Sequence, residues 1–98
     1  MKEELLEEWR AEIDTINTKI VALLSERMEV CTEIAKYKYK YNVNMMQPKR
    51  IEDVLKKTSI VAKEKNLNPK YIEDVFKVII NETCEVEDKL IKGMKANQ

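Results

Sequence analysis

The chain has 98 residues, with one glycine, two prolines and no histidine, and eighteen Lys+Arg offset eighteen Asp+Glu to a formal net charge of zero. That length holds one domain. A sheet protein of this size consumes Gly, Pro, Asn and Asp in its turns, so a single glycine at position 93 points to an all-α chain. A charged fraction of 37% beside 44% apolar residues fits long amphipathic helices rather than disorder. Zero net charge removes the electrostatic case for nucleic acid or an anionic membrane as partner. Without imidazole there is no Ser/His or Cys/His nucleophile and no ordinary zinc site, so neither metal nor cofactor is expected. Cys31 and Cys84 fall inside helical patterns without metal-ligand spacing and read as buried structural thiols. No apolar run approaches the roughly 20 residues of a membrane span, and the acidic start MKEELLEEW is no signal peptide, which points to the cytoplasm.

The first predicted helix covers 3–41, a stretch that no Pro or Gly interrupts. Its apolar positions, Trp9, Ile13, Ile16, Ile20, Leu23 and then Val30, Ile34 and Tyr37, alternate steps of four and three in a heptad seam. At about 1.5 Å per residue the helix is roughly 55–60 Å long. A compact 100-residue domain has a radius of gyration of only about 13 Å, so the rest of the chain cannot cover it. A homodimer is the simplest remedy.

The segment from Tyr41 to Gln47 breaks the pattern, and Pro48 suits the first position of a second helix over 48–65. Ile51, Val54, Leu55, Thr58 and Val61 or Ala62 form its apolar stripe. Asn66 can take the left-handed conformation that ends this helix, and Asn68 can cap the next. Pro69 opens a third helix over 69–95, in which Ile72, Phe76, Ile79, Thr83, Val86 and Leu90 repeat the 4-3 rhythm.

Function shows where the seams turn polar. Arg27 occupies the seam between Leu23 and Val30, a costly place for a cation without a partner. Lys38 follows eleven residues on, close to three whole turns, and projects from nearly the same face. Thr83 holds a seam position of the third helix, with Glu87 one turn later. Arg50 lies one turn into the second helix, and Arg10, seventeen residues before Arg27, lies roughly 100° round the helix from it. Two readings remain open. Arg27 and Glu87 could form a buried ion pair that sets register. Alternatively, the cations converge on a cavity that binds a small anion with more than one carboxylate, to which arginine is suited.

The order of Arg10, Leu23-Leu24-Ser25-Glu26-Arg27, Lys38, Pro48-Lys49-Arg50 and Ile79-Ile80 resembles the all-helical chorismate mutase family over nearly the whole chain. The resemblance implies three helices per chain in an intertwined homodimer, with a chorismate-type dicarboxylate as substrate. It further implies that Arg27, Lys38 and Arg50 bind from one subunit while Arg10 reaches in from the other. By the same resemblance Lys38, Glu87 and Arg27 are the catalytic residues, and Gln47, Ile51 and Thr83 complete the substrate site.

Three positions depart from the family pattern. Gln47 stands where a carboxylate is usual, Ile51 replaces the glutamate that contacts the C4 hydroxyl, and Glu87 replaces the glutamine that donates to the ether oxygen. Glu87 can donate only when protonated, a form that burial favours. These changes surround the C4 substituent and the breaking bond, so they point away from ordinary chorismate. The strings Val43-Asn44-Met45-Met46-Gln47-Pro48-Lys49-Arg50 and Ile79-Ile80-Asn81-Glu82-Thr83-Cys84-Glu85-Val86-Glu87-Asp88 look most like the 4-amino-4-deoxychorismate mutases, which serve pathways to p-aminophenylalanine-derived antibiotics. Met45 and Met46 read equally well as adaptable packing. Other expectations on this scaffold are chorismate mutase making prephenate, isochorismate pyruvate lyase, which shares an aliphatic residue at the Ile51 position, and a non-catalytic helical dimer.

Overall fold

The structure, a computed structural model, describes residues 2–44 and 47–97; Met45 and Met46 lie outside the described residues. It consists of three helices, α1 (Lys2–Lys40), α2 (Pro48–Glu64) and α3 (Pro69–Ala96), with no strand among the described residues. The chain divides into two compact units, Met1–Val30 and Cys31–Gln98.

The first unit is helix alone. Glu3 and Glu4 in its opening turn complement the positive end of the helix dipole. Arg10 bonds Glu7 one turn back at 2.7 Å. The hydroxyls of Thr15 and Thr18 donate to the carbonyls of Ala11 and Asp14, both at 3.1 Å, so these polar side chains ask nothing of a partner. The apolar stripe is different. Trp9, Ile13, Ile16, Ile20 and Leu23 all stand exposed, Leu23 at 63%. A continuous apolar stripe facing water marks an interaction surface.

The second unit contains the closing turns of α1, then α2 and α3. Two helix ends in it have the same construction. At the end of α1, Asn42 has φ 56°, its N–H bonds the Tyr39 carbonyl at 3.3 Å, and the N–H of Val43 bonds the Lys38 carbonyl at 2.8 Å. At the end of α2, Asn66 has φ 59°, its N–H bonds the Lys63 carbonyl at 3.2 Å, and the N–H of Leu67 bonds the Ala62 carbonyl at 2.8 Å. Both are Schellman closures, in which a left-handed residue turns the chain back on the last carbonyls. Asparagine serves because its short polar side chain tolerates that conformation. The Asn68 side chain then accepts from the Lys70 N–H at 3.0 Å, with Pro69 at the first helical position.

This four-residue connection folds α2 and α3 into a hairpin, and their apolar stripes pack together. All six expected stripe positions of α3, from Ile72 to Leu90, are buried or half-buried. On α2 the choice between Val61 and Ala62 falls to the alanine, 2% exposed against 51%. The most deeply buried side chains are small: Ala35 at 0%, Ala62 at 2% and Thr83 at 7%. Small residues at contacts let helix axes approach closely, and the larger apolar residues close around them half-buried. The cysteines depart from expectation. Cys31 is half-buried and Cys84 is exposed, because Cys84 follows Thr83 by one residue and so turns about 100° away from the stripe.

Candidate functional site

Among the described residues five charged side chains escape full exposure: Arg27, Lys38, Asp53, Glu73 and Glu87. Three of them are residues singled out at or near the seams, Arg27 in the first unit, and Lys38 and Glu87 in the second. Partial burial strengthens electrostatics, because water screens such a charge less. Thr83, one turn before Glu87, is the one buried polar residue among those described. Its hydroxyl donates to the Ile79 carbonyl at 2.9 Å. To serve a ligand carboxylate the hydroxyl would turn its proton away from that carbonyl, a rotation about a single bond.

The second unit contains part of the expected set. Lys38 leaves α1 at the carbonyl that the Val43 amide closes, so the backbone under this lysine is held at the helix end. Gln47 is the N-cap residue of α2, and its carbonyl accepts from the N–H groups of Arg50 at 2.9 Å and Ile51 at 3.3 Å. Gln47, Arg50 and Ile51 are thereby locked into one turn. The Gln47 side chain makes no cap bond. The first turn of α2 contains no acidic residue, so the positive end of the helix dipole adds to the charge of Arg50. Ile51 is half-buried, and Gln47 and Arg50 are exposed.

Two expected cations are engaged by carboxylates of their own helix. Arg10 in the first unit holds Glu7. In the second unit Arg50 Nη1 donates to Asp53 Oδ2 at 2.7 Å, and Lys57 Nζ reaches the same oxygen at 3.0 Å. Asp53 is a residue that no seam or motif singles out. Its signal is a carboxylate three residues after Arg50, at the spacing that places both on one side of a helix. The Lys57 hydrogen bond, with Arg50 adding to it, holds the Asp53 carboxyl below its ordinary 3.8. Elsewhere, Asp74 and then Glu73 hold the Lys70 ammonium above its ordinary 10.5.

An open hollow on the first unit is lined by Glu3, Glu4, Glu7, Glu8 and Ala11. Four carboxylates repel an anion, so this hollow does not suit the dicarboxylate expected from the sequence. Among the described residues no group of three or more His, Cys, Asp or Glu could hold a metal ion, and no helix is long and apolar enough to cross a membrane.

Arg27 in the first unit, and Lys38 and Glu87 in the second, are thus half-buried charges on an all-helical chain. Comparison with known proteins supplies the class. Residues 9–88 match the family described as chorismate mutase type II, a span that opens one residue before Arg10 and closes one after Glu87. A 4-amino-4-deoxychorismate mutase of Streptomyces pristinaespiralis is 31% identical over 86 residues, 88% of this chain and 67% of that protein. One of Streptomyces venezuelae is 32% identical over 83 residues, 85% of this chain and 81% of that one. The bifunctional chorismate mutase/prephenate dehydratase of Buchnera aphidicola subsp. Acyrthosiphon pisum is 36% identical over 84 residues, 86% of this chain but 22% of that protein. The chain belongs to the type II chorismate mutase family. It is an isomerase of that type.

Proposed function

We propose that the enzyme converts 4-amino-4-deoxychorismate to 4-amino-4-deoxyprephenate. The observation that carries this reading is the likeness to two 4-amino-4-deoxychorismate mutases across more than four-fifths of the chain. Gln47 and Ile51, which depart from the ordinary mutase pattern, support it because in our reading they face the ring substituent that differs between the two substrates. The Gln47 side-chain oxygen, unused in capping, can accept a hydrogen bond from a ring amine.

The reaction is an intramolecular Claisen rearrangement. The ether C–O bond breaks as a C–C bond forms between the enolpyruvyl methylene and the ring carbon bearing the carboxylate, so no atom enters or leaves. Catalysis consists of holding the enolpyruvyl group over the ring and stabilising charge that develops on the ether oxygen. In our reading Arg27, with Arg10 of the partner subunit, grips the two carboxylates, and Thr83 assists in binding. Arg50, Gln47 and Ile51 face the ring substituent. Lys38 and protonated Glu87 face the ether oxygen.

The same reading makes the enzyme a homodimer. The exposed stripe from Trp9 to Leu23 has the 4-3 spacing of a helix-pairing seam and needs a cover. A second copy supplies that cover together with Arg10 for the other site. Neither Cys31 nor Cys84 is in a disulfide, which suits the reducing cytoplasm, where we place the enzyme.

A second reading, chorismate to prephenate, is favoured by the higher identity to the Buchnera mutase/dehydratase. One assay separates the two. Purified protein is offered 4-amino-4-deoxychorismate, chorismate and isochorismate in turn, and products are resolved chromatographically. The expected result is 4-amino-4-deoxyprephenate with the highest kcat/KM of the three. Prephenate formed with the higher kcat/KM would replace our reading by the second. Salicylate plus pyruvate, or no product at all, would overturn both.

A further inference from the structure

We propose that Asp53 is the positioning residue for Arg50, holding its guanidinium plane ready for the substrate before the substrate arrives. The proposal rests on the reading of Arg50 as a substrate-binding residue.

The geometry supporting it is local to the first two turns of α2. Arg50 Nη1 and Asp53 Oδ2 are 2.7 Å apart, within the short range of charge-assisted hydrogen bonds. The two residues are three apart in sequence, so their side chains leave neighbouring points on the helix surface. Arginine has many rotamers, and a ligand that must immobilise such a side chain on arrival loses affinity by the entropy of ordering it. A carboxylate within the same helix carries that ordering in advance. A guanidinium has five N–H donors in one plane, so a bond at Nη1 orients the plane while other donors address an acceptor on the substrate.

Asp53 is itself restrained. Lys57 binds the same Oδ2 at 3.0 Å from one turn further on, which makes a ladder of cation, anion and cation along α2. Asp53 is also half-buried, unlike Glu7, which makes a pair of the same length with Arg10 but stands exposed. Depression of the Asp53 carboxyl below its ordinary value keeps it anionic at any working pH. The two side chains still meet water, at 63% and 40% exposure, and water-screened pairs at this spacing contribute little to stability, so loss of Asp53 is expected to register in ligand binding rather than in folding.

The test is a double-mutant cycle read as separate KM and kcat values on the substrate turned over best. Asp53→Ala is expected to raise KM about three- to tenfold, with kcat within about twofold and the thermal midpoint within about 2 °C. Asp53→Asn keeps an acceptor without the charge and is expected to fall between wild type and Asp53→Ala. In an Arg50→Ala background Asp53→Ala should change nothing further, because the residue it positions is gone. Asp74→Ala, which removes an exposed partner of Lys70 on α3, is the control and should leave KM at the wild-type value. If Arg50→Ala alone leaves both constants unchanged, the reading of Arg50 as a binding residue fails. If Arg50→Ala raises KM while Asp53→Ala does not, or if Asp53→Ala costs as much without Arg50 as with it, the positioning proposal is overturned and the binding role of Arg50 stands.

Discussion

The amide of Val43 bonds the carbonyl of Lys38 across 2.8 Å, so the lysine we assign to the breaking bond emerges from a closed helix end. That closure depends on Asn42, whose φ of 56° lies in the left-handed region. A residue with an ordinary Cβ pays for that conformation in strain. Asn42→Ala is expected to destabilise the fold by about 1 kcal/mol, and Asn42→Gly to stay within about 0.5 kcal/mol of wild type. Urea unfolding followed by circular dichroism measures both. Equal stability of the two variants would show that the left-handed turn is not what closes α1.

Ile20 lies in the middle of the exposed stripe of the first unit. Ile20→Glu introduces a charge there without disturbing anything the single chain buries. If the stripe is a pairing seam, sedimentation should show the mass falling from two chains to one, and activity should disappear with it. A variant that keeps the wild-type mass and turnover would remove the homodimer from the proposed function.

Lys38→Ala and Arg27→Ala each delete a half-buried cation from the proposed site. By analogy with loss of a single oxyanion donor, each is expected to lower turnover about 10²–10³-fold. Glu87 adds a dependence on pH. A carboxyl donates to the ether oxygen only while protonated, so activity should decline as pH rises through the Glu87 ionisation. Glu87→Gln donates at every pH and should flatten the profile; the same decline in that variant would take the proton away from Glu87.

Asp53 offers an acid-side test. Its carboxyl is held below the ordinary value, chiefly by the Lys57 hydrogen bond. A carboxylate whose folded-state value is depressed adds stability above its unfolded value, and that contribution is lost as pH falls through the folded one. The side-chain carboxyl carbon, followed by NMR, should titrate below 3.8, and Lys57→Ala should move the midpoint upward. An unmoved midpoint would mean that Lys57 is not the main cause.

Much of the fold was legible in the residues themselves. Pro48 and Pro69 mark helix starts, because a proline lacks the N–H that the first turn leaves unpaired anyway. Asn66 and Asn68 announce a closure and a cap by side-chain chemistry alone. The 4-3 rhythm of α3 named its inward face because burial repeats with the helical period. Gln47 and Ile51 were visible as departures from a pattern, Arg27 as a charge where an apolar residue belongs, and Lys38 and Glu87 as charges beside a seam.

Other features required the folded chain. Ala62 rather than Val61 faces inward, and periodicity could not choose between neighbours on the edge of a stripe. Cys84, expected as a buried thiol, is exposed, since it stands one residue, about 100° of rotation, from the buried Thr83. The pairing of Arg50 with Asp53 depends on rotamers that spacing permits but does not select. Local structure was thus readable from order alone, and the residue types we propose for the site were picked out the same way, because helix signals and misplaced charges are properties of nearby residues. Which side chains are buried, and which carboxylate each cation meets, came only with folding, because those depend on how helices pack and on which rotamers that packing leaves open.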